Sequence, residues 1–302
     1  MCVYSAKYNQ FIFMSLHKKP FAEIIFIYLI IGFCGFLCYR FLPFENKLWR
    51  FFAADLVMTV VTFIFSLYKK NSSVYDAYWS VIPFYFIVLC WFNAHQSWGI
   101  AQYTTALVVS FWSWRLTHNW YRSWRGWDHE DWRYVNFRKQ FGKYFQPINF
   151  LAIHLYPTCI VFLSMSGLFF LYHGTTKNVT AFFIAGNIIA LAGVLFELVA
   201  DNTLYKNRNN PGRVKHSIIR EGIWNYTRNP NYFGEILFWA GLAITGLAAS
   251  AQAWTCLGAI GMVLMFLFAS IPMKEKRLSA TYDDFEKYKA EVPMLLPMPS
   301  KK

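Results

Sequence analysis

Charged side chains are scarce in this sequence. Asp, Glu, Lys and Arg make up 15% of its 302 residues, whereas a soluble globular domain carries about 25%. The six cysteines are scattered, and the sequence has neither a CxxC pair nor a Cys/His spacing typical of metal ligands. The sequence therefore supports neither a disulfide framework nor a metal site. The low charge indicates that lipid is part of the solvent around this chain.

The sequence also lacks the alternating ten-residue pattern that is typical of membrane β-strands. Long apolar runs are present instead, and about 20 apolar residues suffice for a helix that crosses a bilayer. We predict an all-α, polytopic chain with about eight membrane helices, within a range of seven to ten. Residues 1–70 hold the N-terminal membrane helices, and residues 71–302 form the remaining membrane domain with its loops and C-terminal tail. The predicted spans are 21–42, 51–68, 77–92, 98–116, 148–172, 179–200, 232–249 and 252–272.

The basic residues are distributed unevenly between successive connections. The net charge is +13, and much of the excess lies in two long connections, 117–147 and 201–231. The alternate connections, around 93–97, 173–178 and 250–251, hold one charged residue in all. This alternation follows the positive-inside rule and predicts that both long connections and both termini are cytoplasmic. Anionic lipid headgroups are the expected partners of the remaining basic residues, and nucleic acid is not.

A row of polar residues continues the predicted fourth span. Trp112, Arg115, Asn119 and Arg122 follow the spacing of one helix face, and Arg125 borders that face. One interpretation is that the arginines extend to lipid phosphates at the membrane surface. The other is that their guanidinium groups bind an anionic ligand, since they match phosphate oxygens in pairs.

The predicted sixth span also ends in a polar face. Glu197, Asp201, Tyr205 and Arg208 recur at helical intervals before a Pro-Gly pair that stops the helix. A solvated helix end explains the pattern equally simply. Alternatively, two carboxylates followed by a guanidinium bind the ribose hydroxyls and a phosphate of a nucleotide.

The stretch NYTRNPNYFGE, residues 225–235, begins the next helix. Thr227 is the expected N-cap, and Pro230 suits the first helical turn. A helix N-terminus attracts anions, and Arg228 adds a full positive charge. Asn231 and Glu235 are then i, i+4 neighbours, and the Asn231 carboxamide is able to pair with another carboxamide, such as that of nicotinamide. An ordinary capped helix explains the cap and the proline, but not this combination.

Together these stretches resemble a known family. DNTLYKNRNNPGR and EGIWNYTRNPNYFGEILFWAG are similar to the C-terminal domain of the steroid 5α-reductase superfamily. The chain most resembles a branch with the motifs YDxYWS, DWRY and RHPNYFGE, which read here as Tyr75–Ser80, Asp131–Tyr134 and Arg228–Glu235, with Asn229 in place of the usual histidine. The resemblance covers about residues 70 to 297. It implies seven or more membrane helices, a cytoplasm-facing cofactor cavity and NADPH as cofactor.

The resemblance also implies roles for individual residues. Asp201 and Arg208 match residues at the adenosine and phosphate end of the cofactor, and Asn231 matches the asparagine that holds the nicotinamide amide. Glu197 stands where the reductases have an asparagine. The complete predicted cofactor-binding set is Arg115, Arg122, Arg125, Glu197, Asp201, Tyr205, Arg208, Arg228, Asn231, Tyr232 and Glu235.

The leading functional hypothesis is an NADPH-dependent reductase of a C=C bond in a lipophilic, steroid-, polyprenol- or enoyl-lipid-like substrate. Hydride transfer to an enone requires a group that stabilises charge on the carbonyl oxygen. Asp76 with Tyr75 or Tyr78 is the predicted catalytic group, because a buried carboxyl or a tyrosine is able to donate a hydrogen there. The alternative is that Asp76 only caps the third span.

Two other functions stay open. Membrane methyltransferases that use S-adenosylmethionine carry a similar RHPxYxG element, so RNPNYFG fits both classes. However, several arginines suit a polyanionic nucleotide better than a sulfonium cation. A non-catalytic membrane subunit of the same fold is the third hypothesis. The expected location is the bacterial inner membrane, or the endoplasmic reticulum if the chain is eukaryotic.

Overall fold

The computed structural model describes residues 2–93, 98–174, 179–212, 214 and 217–300, with only the backbone described for 2–19. The chain is 80% helical, and the described residues include no strand, which confirms the all-α prediction. The helices are α1 (Cys2–Phe41), α2 (Lys47–Lys69), α3 (Tyr78–Phe92), α4 (Ile100–Ser123), α5 (Trp132–Phe141), α6 (Phe145–Ile148), α7 (Tyr156–His173), α8 (Ala181–Arg208), α9 (Pro230–Ser250), α10 (Leu257–Met265), α11 (Ile271–Ser279) and α12 (Phe285–Glu291). A π-helical segment, Asn149–Leu155, precedes α7.

Within the described ranges, seven helical segments are long and apolar enough to cross a membrane, which lies in the predicted range of seven to ten. The predicted span 98–116 lies in helix α4, which is not among the seven. The predicted connections around 93–97 and 173–178 lie largely outside the described residues. The seven segments are Pro20–Phe41, Lys47–Lys69, Ser72–Phe92, Trp132–His173, Ala181–Arg208, Pro230–Ser250 and Ala253–Ser279.

The chain forms two compact units. The first unit comprises Met1–Leu89 and Leu116–Phe162, and the second comprises Cys90–Arg115 and Leu163–Lys302. The predicted boundary at residue 70 falls inside the first unit. Because α4 changes unit after Arg115, its predicted polar face is divided, with Trp112 and Arg115 in the second unit and the remaining residues in the first.

Helix α2 of the first unit is capped at both ends. The Asn46 side chain accepts a hydrogen bond from the backbone N–H of Leu48 at 2.9 Å, which satisfies one of the free N–H groups of the first turn. At the other end, Lys70 adopts a left-handed conformation (φ 52°) and its N–H donates to the carbonyl of Leu67. These caps fix α2 in register, so that its inward face packs on Val74, Tyr75 and Tyr78.

Helices α8 and α9 of the second unit pack at backbone distance. A Cβ atom on Gly193 would lie 2.5 Å from the carbonyl oxygen of Gly234, and one on Gly241 would lie 2.4 Å from the backbone N of Ala190. Small residues at such positions let two membrane helices approach closely. The close approach brings the polar end of α8 next to the first turns of α9.

Buried amides and hydroxyls join α4 to this helix pair. Thr105 donates to Oδ1 of Asn187 at 3.1 Å, and Nδ2 of Asn187 donates to Thr245 at 3.3 Å. All three side chains are buried. Since such groups are costly in an apolar interior unless they are paired, this row helps to fix the register of α4, α8 and α9.

Candidate functional site

Arg115 occupies the centre of a buried ionic cluster in the second unit. Its Nη1 donates to Oδ2 of Asp201 at 2.8 Å, and its Nη2 donates to Oε2 of Glu197 and to Oε1 of Glu235 at 3.2 Å. The Arg115 side chain is 2% exposed. Three helices therefore meet at one guanidinium, and four of the predicted cofactor-binding residues lie together.

Two tryptophans complete the surroundings of Glu235. The indole N–H groups of Trp112 and Trp239 each donate to its Oε2 at 3.2 Å. Glu235 therefore accepts three hydrogen bonds from buried donors. In contrast, Oε1 of Glu197 and Nε of Arg115 are buried without a hydrogen-bond partner, so the cluster retains two unsatisfied polar atoms.

Lys274, on α11, contacts the start of α9 and was not singled out from the sequence. Its ammonium donates to Oδ1 of Asn229 at 2.9 Å and lies 5.0 Å from the Tyr232 ring centroid. Arg208 and Asp201 are close enough to act on it electrostatically. The predicted residues Asp201, Arg208 and Tyr232 therefore share one polar region with this lysine, which we call the α8–α9 end.

Asn231 contributes an unsatisfied acceptor within the α8–α9 end. Its side chain is half-buried, and its Oδ1 atom is buried without a hydrogen-bond partner. A carboxamide N–H₂ is a suitable donor for this oxygen. The residues present therefore fit the nicotinamide amide that the sequence resemblance implies, with Arg208 and Lys274 as cations for phosphate.

Arg228 contacts the C-terminal tail rather than solvent. Its Nε donates to Oε1 of Glu275 at 2.9 Å, and its Nη1 donates to the carbonyls of Lys289 (3.0 Å) and Val292. Its backbone N–H donates to the carbonyl of Pro293 at 2.9 Å. The guanidinium therefore holds the tail against the start of α9.

The prediction that Thr227 caps α9 is wrong, although Pro230 does occupy the first turn. The N-cap is Asn229, and its side chain makes no capping bond because its Oδ1 accepts from the ammonium of Lys274 at 2.9 Å. Its Nδ2 donates to the carbonyl of Met294 at 2.9 Å. The Thr227 hydroxyl donates to the carbonyl of Leu295 at 2.8 Å. The side chains of Thr227 and Asn229 therefore bind partners that are distant in sequence, instead of capping the helix as the local pattern predicts.

Tyr288 anchors the same tail from α12. Its hydroxyl donates to the carbonyl of Trp224 at 2.6 Å, and the side chain is 1% exposed. Burial raises the pKa of the Tyr288 phenol above its ordinary value, so the phenol stays protonated and able to donate.

Two predicted cofactor-binding arginines belong to the first unit. Arg122 is half-buried and donates to Oδ1 of Asn119 at 3.0 Å, as the predicted helical spacing requires. Arg125 is exposed in the connection after α4. In the second unit, Tyr205 is also exposed, on the last turns of α8. Contacts of these three residues with a cofactor stay predictions.

Asp76, the predicted catalytic carboxyl, lies in the first unit between the short helix Ser72–Tyr75 and α3. Its Oδ1 accepts from the hydroxyl of Tyr134 at 2.6 Å and from Nη2 of Arg133 at 3.4 Å. It is not a helix N-cap: it follows Ser72–Tyr75 as the C-cap. These bonds tie Asp76 to the DWRY motif, so the carboxylate is already engaged by two donors.

Asp55 is a second carboxyl in this unit, and sequence reasoning missed it. Oδ1 of Asp55 accepts from the Tyr78 hydroxyl at 2.8 Å, and both residues are buried. A pattern in α2 was available: Asp55, Thr59, Thr62 and Ser66 recur at intervals of four, three and four residues, and all are buried. A polar stripe inside an apolar helix indicates a functional face, because ionisable groups in membrane spans are costly.

Comparisons with known proteins identify relatives. Residues 62–292 match the family described as Protein of unknown function (DUF1295). An uncharacterized protein of Schizosaccharomyces pombe is 26% identical over 77% of this chain and 74% of its own length. No solved structure matches the chain.

Shorter matches connect the chain with named enzymes. The 3-oxo-5-alpha-steroid 4-dehydrogenase 1 of Bos taurus is 29% identical over 38% of this chain and 42% of its own length. The human enzyme of that name is 33% identical over 31% of this chain and 33% of its own length. The chain thus spans less than half the length of these enzymes. Since the family match covers most of the chain, it belongs to the DUF1295 family, within the steroid 5α-reductase superfamily.

Proposed function

We propose that this protein is a membrane-embedded, NADPH-dependent reductase that reduces an activated C=C bond in a lipophilic substrate. The observation that carries the proposal is the unsatisfied Oδ1 atom of Asn231. Its neighbours along the chain, Asn229 and Tyr232, both contact Lys274. An acceptor oxygen suits the nicotinamide amide, and two cations suit the phosphates of a pyridine dinucleotide.

Each residue of the α8–α9 end has a distinct part in this proposal. Asn231 accepts from the nicotinamide amide and thereby orients the ring. Arg208 and Lys274 bind phosphate oxygens. Arg115 is enclosed by carboxylates, so its part is to position Glu197, Asp201 and Glu235 rather than to contact phosphate. When bound, the cofactor supplies a hydride.

A hydrogen donor for the substrate oxygen is available in the first unit. The Tyr78 hydroxyl donates to the buried carboxyl of Asp55 at 2.8 Å. When protonated, this carboxyl is a proton source for general acid catalysis, and the hydroxyl of Tyr75 is the group that donates to the substrate. Asp76 is a weaker candidate, since Tyr134 and Arg133 already bind it. We therefore assign the role first predicted for Asp76 to Asp55, and we keep the predicted Tyr75 as the hydroxyl that donates to the substrate oxygen.

The relatives and the apolar composition support the proposed substrate class. The matched enzymes are named for 3-oxo steroids, and an enone of this kind combines an apolar body with one carbonyl. An activated C=C bond next to a carbonyl accepts hydride because the charge is delocalised onto oxygen.

The decisive experiment titrates the purified protein with NADPH and, separately, with S-adenosylmethionine, and follows quenching of its 13 tryptophans. Saturable quenching by NADPH alone, followed by NADPH-dependent reduction of a 3-oxo-4-ene steroid, supports the reductase. Saturation by S-adenosylmethionine alone would establish the methyltransferase instead. A response to neither compound would indicate a non-catalytic subunit.

A further inference from the structure

Four hydroxyl groups of the first unit form a continuous hydrogen-bonded row that ends on Asp55. The Tyr75 hydroxyl lies 2.9 Å from Oγ1 of Thr158, which lies 2.9 Å from Oγ1 of Thr59. Thr59 lies 3.2 Å from the Tyr78 hydroxyl, and Tyr78 donates to Asp55 at 2.8 Å. We call these five residues the hydroxyl row.

The hydrogens of the row match its bonds in number. Each hydroxyl carries one hydrogen and accepts another, so each group is able to donate to the next, from Tyr75 to the carboxylate of Asp55. The reverse order is equally complete when Asp55 is protonated and donates first. The Thr158 hydrogen has a second acceptor, the carbonyl of His154 at 2.8 Å, which allows the row to open and close at that point.

The hydroxyl row is buried along its whole length. Thr59, Thr158 and Tyr78 are at most 2% exposed, and Asp55, at 6%, is the most exposed member. Structural hydrogen bonding of a threonine in a helix needs only its own helix carbonyl. Hydrogen bonds within single helices therefore do not explain a row that connects α2, α3 and α7. A buried polar group is costly in free energy if its partner is lost, so a function for the row is expected.

His154 marks the end of the row at Tyr75. Its ring lies 4.9 Å from the Tyr75 ring, and its Nδ1 lies 3.0 Å from the carbonyl of Asn149. Because a carbonyl only accepts, Nδ1 carries the hydrogen, and the fully buried Nε2 is an acceptor without a partner. His154 lies in the π-helical segment Asn149–Leu155, and π-helical turns are frequent at functional sites. A ligand hydroxyl, such as that of an enol, would satisfy Nε2.

We propose that the hydroxyl row is a proton relay that carries one proton from the Asp55 carboxyl to a substrate oxygen bound beside Tyr75. The proposal rests on the proposed reductase function. A bound pyridine dinucleotide would supply the hydride, that is two electrons and one hydrogen, for the β-carbon of an enone, and the C=C electron pair would then move onto the carbonyl oxygen. Tyr75 gives its proton to that oxygen and regains one from Thr158, which is resupplied in turn by Thr59, Tyr78 and Asp55. The carboxyl becomes a carboxylate, and water returns its proton.

The first test needs no substrate. Infrared spectroscopy of the purified protein follows the Asp55 carboxyl band, identified by its loss in Asp55→Asn. Thr158→Val keeps the shape of the side chain but removes the hydroxyl, whereas Thr158→Ser keeps the hydroxyl. We expect Thr158→Val to shift the Asp55 band and Thr158→Ser to leave it unchanged. An identical band in both variants would show that no continuous row reaches Asp55.

The second test measures whether the hydroxyl row contributes to the rate of substrate reduction. With NADPH and a 3-oxo-4-ene steroid as probes, we expect Thr59→Val and Thr158→Val to lower kcat by about 10- to 100-fold, since general acid catalysis contributes on the order of 10²–10⁴. The solvent deuterium isotope effect is expected to rise in both Val variants, and the Ser variants keep wild-type values. NADPH affinity, measured by tryptophan quenching, stays unchanged in all four variants and shows that they are folded.

The outcomes separate the relay from the reductase. Active Val variants with wild-type kcat and isotope effect would overturn the relay while the reductase function stands. Equal losses in the Ser and Val variants would also overturn it, since packing rather than the hydroxyl would then be responsible. If the wild-type protein neither reduces the steroid probe nor binds NADPH, the reductase function is refuted. The proposed role of the hydroxyl row in that reaction is then refuted as well.

Discussion

Arg228 and Glu275 form a nearly buried ion pair, with Nε and Oε1 2.9 Å apart and side chains 8% and 12% exposed. The same guanidinium binds two carbonyls of the C-terminal tail. The sequence predicts that Arg228 binds an anionic ligand, but in the structure Arg228 holds the C-terminal tail against the start of α9.

We expect Arg228→Leu to detach the tail. Removing one partner of a buried pair costs about 3–5 kcal/mol, and it also frees the carbonyls of Lys289 and Val292. Limited proteolysis with trypsin should then cleave near Lys287 and Lys289 at protease levels that leave the wild type intact. Glu291→Gln is the control, because its pair with Arg220 is about one-third exposed and worth about 0.2–1 kcal/mol. Equal protection of the Arg228→Leu tail and the wild-type tail would refute the fastening role.

The Arg115 cluster gives a second stability prediction. Arg115→Met removes the cation that faces Glu197, Asp201 and Glu235, and we expect a loss of about 3–5 kcal/mol, seen as a lower Tm in detergent. Arg122→Met is the matched control, because Arg122 is half-buried and donates to Asn119 on the same helix, and such changes stay within about 1 kcal/mol. If Arg115→Met unfolds at the same temperature as Arg122→Met, the cluster does not stabilise the fold.

Close packing of α8 on α9 is tested by Gly241→Val. The new side chain would meet the backbone of Ala190, and overpacking of this kind costs about 1–3 kcal/mol or more. Gly212→Ala is the control, since its nearest neighbour lies 3.5 Å from the added atom. Thermal unfolding of the two variants should differ clearly, and a Gly241→Val protein as stable as Gly212→Ala would contradict the packing.

The two carboxyls of the first unit are distinguished by substitution. We expect Asp55→Asn to lower kcat for the steroid probe by about 10-fold or more, because it removes the carboxyl that supplies the proton. Asp76→Asn should chiefly lower Tm, since Asp76 binds Tyr134 and Arg133 of the DWRY motif. The opposite result, a kinetic loss in Asp76→Asn with normal stability, would restore Asp76 as the catalytic carboxyl.

Local spacing made part of this site predictable. Glu197, Asp201 and Glu235 lie at helical intervals within their own helices, so their shared faces followed from the sequence. Asp55 was not predicted because it is the one carboxyl of a stripe whose other members are the uncharged Thr59, Thr62 and Ser66, although the stripe in α2 has the same helical spacing. The roles of Thr227 and Arg228 were not predictable in this way, because their partners lie between 47 and 68 residues further along the chain.

The most direct test of the central claim is the affinity of the α8–α9 end for NADPH. Tryptophan quenching should give an affinity about tenfold weaker for Asn231→Ala, the equivalent of about 1.4 kcal/mol, and a still larger loss for Arg208→Glu. Asn207→Ala, on the same helix, is the control and should match the wild type. Folded Asn231→Ala and Arg208→Glu proteins with wild-type affinity for NADPH would contradict the account.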